Sequence, residues 1–114
     1  MAKTSIAVVC LLVAQAAAAF SGSDLRETIE AGRRVKDGHG RGADFQHAAF
    51  TTGFIAGAFV TLADIHPKAC LPEEGNFGQY VAVTDHYLQS NPAQLHRPAQ
   101  ELVREAALQA FPCR

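Results

Sequence analysis

The sequence predicts an all-α fold, a small bundle of about four helices closed by one disulfide. Three observations carry this. Apolar residues recur at helical spacing in four stretches separated by glycine or proline, and no stretch shows the period-two alternation of a half-buried strand. The third observation is a pair of cysteines, Cys70 in Cys70-Leu71-Pro72 and Cys113 in Phe111-Pro112-Cys113, which bracket the last two helical stretches.

The compartment follows from the N-terminus. Lys3, the apolar run from Ile6 to Ala14 and the small residues Ala16-Ala17-Ala18-Ala19 read as a secretory signal peptide over 1–19, cleaved near Ala19 to leave a domain over 20–114. The run is shorter than the roughly 20 residues a bilayer span needs, and no stop-transfer pattern follows it. Cys10 leaves with the leader, and bulky Val8-Val9 before it does not suit lipidation. Two cysteines then remain in an oxidising compartment, where pairing of Cys70 with Cys113 is the default expectation. Closing a loop of that length restricts the unfolded chain by about 4 kcal/mol.

Ten Lys and Arg face eleven Asp and Glu among 114 residues; without Lys3, nine face eleven and the net charge is −2. This balance, with no basic block, argues against nucleic acid or an anionic membrane as the partner. The length suits one domain.

The helices are expected in the following order. Ser23 offers an N-cap for a first helix from Asp24 to Lys36, with a thin apolar stripe of Leu25, Ile29 and Val35 and with Glu30 four residues before Arg34. Gly38-His39-Gly40-Arg41-Gly42 ends it as a flexible loop; without a preceding strand or a Walker lysine it is not a phosphate cradle. Asp44 offers the next N-cap, and the segment to Ile65 is apolar nearly all round, which suits the centre of a bundle or a subunit interface. Gly53 and Gly57 lie one turn apart inside it and predict close approach of another backbone. Pro67 stops this helix. Asn76 to Gln79 resembles a capping box for a third helix with Phe77, Tyr80, Val81, Thr84, Tyr87 and Leu88 on one face. Asn91-Pro92 ends it. Pro98 fits the first turn of the fourth helix, whose face is Leu102, Val103, Ala106, Ala107, Ala110 and Phe111.

Chemistry is sparse. His39, His47, His66, His86 and His96 form no His-Glu-x-x-His pattern, no Cys-x-x-Cys is present, and no two of the histidines share a helix at a three- or four-residue spacing with a carboxylate ligand, so no metal or other cofactor is expected. Asp85 and His86, adjacent on a helix, point about 100° apart. Oxidation of the cysteines and the lack of a Gly-x-Ser-x-Gly elbow leave no nucleophile, and no catalytic residue is assigned.

The order Gly53-Phe54-Ile55-Ala56-Gly57, Cys70-Leu71-Pro72, Gly78-Gln79, Tyr87-Leu88, Asn91-Pro92, Ala107-Leu108 and Ala110-Phe111-Pro112-Cys113 resembles the Rap/Tai family of immunity proteins over nearly the whole mature chain. The resemblance implies a small, exported, helical and often dimeric periplasmic protein. It also implies a function: occlusion of a type VI secretion peptidoglycan amidase, which needs a rigid complementary surface and no catalytic group. Two departures stand out. Further cysteines seen in many members are replaced here by Gly32 and by Ala49 or Phe50, and a frequent aspartate by Val60, so a second staple on the first helix is absent. The residues leave two alternatives open, a periplasmic helper similar to small acid-stress chaperones and a structural envelope subunit. The loops offered to a partner are the glycine-rich segment with His39 and Arg41 and the turn with Glu73 and Glu74.

Overall fold

A computed structural model describes residues 20–114; the expected leader, its cleavage site and Cys10 lie outside them. The described residues form four α-helices, α1 (Gly22–Lys36), α2 (Asp44–Ile65), α3 (Phe77–Ser90) and α4 (Ala99–Ala110), with one 3₁₀ turn at Pro92–Gln94 and no strand. The expected all-α bundle and its Cys70–Cys113 disulfide are both present.

Helix α1 starts two residues earlier than the Ser23 cap implied. Ser21 caps it: its hydroxyl accepts the Asp24 N–H at 3.3 Å and the Asp24 carboxylate accepts the Ser21 N–H at 2.8 Å, a reciprocal pair that only a residue three positions before Asp24 can make. The Ser23 hydroxyl turns instead to the Leu95 carbonyl. Main-chain bonds from Gly22 to Arg97, from Ser23 to Leu95 and from Ala99 to Phe20 then tie the start of α1 to the start of α4. Beyond its apolar stripe, α1 is also held by ions. Arg33 bridges Glu30 and, at 2.5 Å, Asp85 on α3, while Arg34 pairs with Asp44 at 2.7 Å. Glu30 therefore takes Arg33 and not Arg34, whose position in the last turn faces the beginning of α2.

Asp44 is the first residue of α2 and does not cap it; Ala43 occupies the cap position. The Asp44 carboxylate accepts from the Arg34 guanidinium and from the Arg41 N–H, and these bonds, Arg34 first, hold its pKa down to about 2. The glycine segment is thus a set turn and not a loose one. Gly38 and Gly42 adopt φ of 79° and 50°, which L side chains disfavour, and the His39 N–H donates to the Arg34 carbonyl at 2.8 Å.

Helix α2 packs against α1, α3 and α4 and supplies the centre of the core with Ile55 and Phe59, both fully buried, and Leu62. From α3 come Tyr80, Thr84 and Leu88, and from α4 Leu102, Val103, Ala106 and Ala107. Phe59 stacks on Tyr80 with centroids 4.7 Å apart, and Phe111 meets both rings edge-on. Two residues expected on inner faces are exposed. Phe77 is the first residue of α3, beyond the reach of the core, and Ala110 ends α4 beside an open groove. Asn76 caps α3, its Oδ1 accepting the Gln79 N–H at 2.9 Å, but the Gln79 side chain does not return the bond that would complete the expected capping box; Pro98 stands at the cap position of α4, one residue before its first turn.

Candidate functional site

The chain leaves α2 through His66-Pro67 and meets the C-terminus almost at once. Ala69 pairs with Pro112, the Cys70 N–H donates to the Phe111 carbonyl at 2.9 Å, and the Cys113 N–H donates to the Lys68 carbonyl at 3.0 Å. This short bridge brings the Cα atoms of Cys70 and Cys113 to 4.9 Å, inside the range a disulfide requires. Both sulfurs are consumed in that bond, so neither cysteine is a nucleophile. The staple's work is positional. Three residues later the chain turns, with the Gly75 N–H donating to the Pro72 carbonyl at 3.0 Å, and presents Glu73 and Glu74 to solvent. Gly75 is required there, because a Cβ would press on the Tyr80 hydroxyl and on Pro72.

His39 and Arg41 are also exposed, on the turn before α2. The two acidic residues follow the other end of that helix. A helix of 22 residues is about 33 Å long, so the two candidate loops are not brought together within one copy. A partner touching both must run the length of α2. Gly53 and Gly57 sit between them on the exposed side of α2, and a Cβ at either would meet no neighbouring element within 4 Å. The backbone approach expected at these glycines is not made inside the described chain.

Two features of the surface gave no signal in the sequence. The first is an ion network at the start of α4. Arg97 donates to both Glu105 oxygens, at 2.6 and 3.0 Å, and to Glu101, while the Tyr87 hydroxyl donates to Glu105 at 2.5 Å. Bonds from Arg97 and then from Tyr87 pull Glu105 from the ordinary 4.5 down to about 2. Its stabilising contribution is therefore complete above about pH 4.5 and is lost as the pH falls towards 2. A Glu105→Gln variant should melt below the wild type at neutral pH, and the two thermal midpoints should converge across that acid window. A gap that stays constant with pH would mean that packing, not charge, makes the difference. The second feature is a groove of about 310 Å³ between α1, α2 and α3, lined by Arg33, Lys36 and Asp85. At its floor the buried Thr51 hydroxyl has no hydrogen-bond partner among the described residues.

No three His, Cys, Asp or Glu side chains converge as a metal site among the described residues. What the geometry provides is rigid display: exposed charged turns at both ends of a long helix, one locked by the Arg34–Asp44 pair and the other by the disulfide. Such a surface suits recognition of another macromolecule. No curated protein and no solved structure matches the chain. The sequence profile of the Rap1a immunity proteins, however, matches residues 21–113, which span all four helices, both turns and both cysteines. With nearly every described residue inside that match, the chain belongs to the Rap1a immunity proteins.

Proposed function

We propose that this protein is exported to the periplasm, is processed near Ala19 to the domain 20–114, and binds and occludes a peptidoglycan amidase delivered by type VI secretion, acting as a homodimer. The observation that carries the reading is membership of an immunity family over the whole helical domain. The surface supports it. An occluding protein needs shape that survives contact, and the turn bearing Glu73 and Glu74 is fixed by a covalent bond three residues away. The His39 and Arg41 turn, held by two arginine–carboxylate hydrogen bonds, is the second element offered to the effector.

The test is a titration of the mature chain against a type VI amidase with peptidoglycan cleavage as the readout. Charge reversal by Glu73→Lys and Glu74→Lys together should weaken inhibition by roughly tenfold or more while the far-ultraviolet helical signal stays unchanged. Unchanged inhibition would remove this turn from the contact surface. Capture of periplasmic partners on the mature chain tests the function more broadly: a recovered peptidoglycan hydrolase supports occlusion. Recovery of many unfolded clients at low pH and no hydrolase would point instead to a chaperone.

A further inference from the structure

Among the described residues, the hydroxyl of Thr51 is a buried side-chain group that the fold leaves without a hydrogen-bond partner. The residue is only 3 % exposed, and a hydroxyl shut away unpaired weakens a fold. Its helical setting offers an ordinary remedy that it does not take. Three other threonines donate to a carbonyl of their own helix: Thr28 to Leu25 at 2.8 Å, Thr84 to Tyr80 at 2.9 Å and Thr52 to Ala48 at 3.2 Å. Thr51 instead lines the groove of about 310 Å³ between α1, α2 and α3.

That groove has the size and lining of a small-ligand site. Its volume lies at the lower end of the range such pockets occupy, about 300–1,000 Å³. Ile29 and Val81 give it apolar walls, and Gly32, Ala48, Gly78 and Ala82 keep the neighbouring side chains short, so that the main chain of a ligand can come close. Two charges in the lining remain available. Lys36 is exposed and takes part in no ion pair among the described residues. Asp85 holds Arg33 at 2.5 Å and the Gln89 amide at 3.0 Å, both on Oδ2, which leaves Oδ1 to accept another donor.

We propose that this groove binds a short zwitterionic peptide of about two or three residues. Both ends and the middle of such a ligand have a counterpart. The Lys36 ammonium pairs with the carboxylate, Asp85 Oδ1 accepts from the ammonium, and the Thr51 hydroxyl donates to an amide carbonyl. Other occupants match fewer of these groups. An inorganic anion makes no use of the apolar walls and is repelled by Asp85, while a fatty acyl chain leaves Thr51 and Asp85 unanswered. A bound peptide also braces α1 against α2 and α3, and α1 is a helix that the Cys70–Cys113 bond does not reach. The inference goes beyond occlusion of an effector and does not depend on it.

Isothermal titration calorimetry of the mature chain with dialanine, without any effector, tests the proposal. Binding is expected with a dissociation constant of about 0.1–5 mM, the range open to so few atoms, and the thermal midpoint should rise as the peptide saturates. N-acetyl-dialanine, dialanine amide and sodium phosphate should each bind about tenfold more weakly or not at all. Thr51→Val separates a role in binding from a role in the fold. It keeps the shape, and the hydroxyl has no partner to lose, so the peptide-free midpoint should hold or rise while affinity falls about tenfold. Lys36→Gln should lower affinity by a similar factor. Absence of binding at about 10 mM dialanine, an affinity unchanged in both variants, or a preference for phosphate overturns the assignment. A Thr51→Val chain that melts lower does so too, because the hydroxyl would then serve the fold, through water, and not a ligand. Titration with the L,L and D,D forms reads the source. Preference for L,L upholds a site for protein fragments, and preference for D,D upholds one for fragments of peptidoglycan, whose peptides carry D residues; only this second assignment rests on the periplasmic reading above. A chain that binds dialanine and blocks no amidase keeps the inference and loses the inhibitory reading; inhibition without peptide binding does the opposite.

Discussion

A Cys113→Ser variant is expected to lose about 4 kcal/mol of stability, comparable to the whole net stability of many small domains. The bond spans 43 residues and joins the exit of α2 to the exit of α4, so the loop it closes holds α3 and α4 entire. Breaking it frees that loop in the unfolded chain, which is where most of the cost arises in the entropy model. The native state suffers too. Without the covalent tie, the Ala69–Pro112 bridge and the two main-chain bonds beside it must hold the C-terminus alone. Urea unfolding of wild type, Cys113→Ser and the double variant Cys70→Ser/Cys113→Ser measures the loss, and dithiothreitol should reproduce it in the wild type. Inhibition of an effector should fall in step with the folded fraction. A well-folded Cys113→Ser chain that no longer inhibits would instead place the cysteine in the contact surface.

Phe59→Ala should cost about 3–5 kcal/mol, the range for removing a large aromatic ring from a sealed core. No part of Phe59 reaches solvent, and its ring is stacked on Tyr80 and met edge-on by Phe111. The cavity would open between α2, α3 and the end of α4, where the chain is least able to collapse because the disulfide pins two of its walls. Phe59→Leu, which keeps most of the volume, should cost much less. Denaturant midpoints at constant slope check both values. A Phe59→Ala loss below about 1 kcal/mol would mean that the ring stack contributes little and that the core closes over the gap. Combined with Cys113→Ser the losses should not add, because Phe111 lies two residues from Cys113 and touches Phe59 directly.

Much of this architecture is legible in the sequence alone. Helical spacing placed the four helices, Pro67 and Asn91-Pro92 marked two of their ends, and the Asn76 cap was read correctly because a cap is settled within three residues. The cysteine pairing needed only the expectation of an oxidising compartment and a count. Where local reasoning failed, two local solutions competed. Ser21 and Ser23 both precede the first helix, and the choice fell to Ser21 because Asp24 answers it while Leu95, more than seventy residues away, claims Ser23. Likewise Glu30 had two arginines within reach, and the nearness of Asp44 to Arg34 decided between them.

The candidate surface divides along the same line. That His39, Arg41, Glu73 and Glu74 lie on turns could be read from glycine and proline placement; that the turns sit at opposite ends of one helix, each rigidly held, could not. The Arg33–Asp85 pair and the Arg97–Glu105–Tyr87 network join residues on different helices, or across a turn, and no periodicity announces them. Helix α2 is the clearest case. Its sequence is apolar nearly all round, so spacing can show that it is a helix and carries no information about which side faces inward. Only the packing of α1, α3 and α4 around it chooses, burying the side with Ile55 and Phe59 and leaving the one with Gly53 and Gly57 open. Chain-local forces therefore settled the elements and the staple, while the exposed face, on which any partner must act, was decided by contacts between residues far apart in the chain.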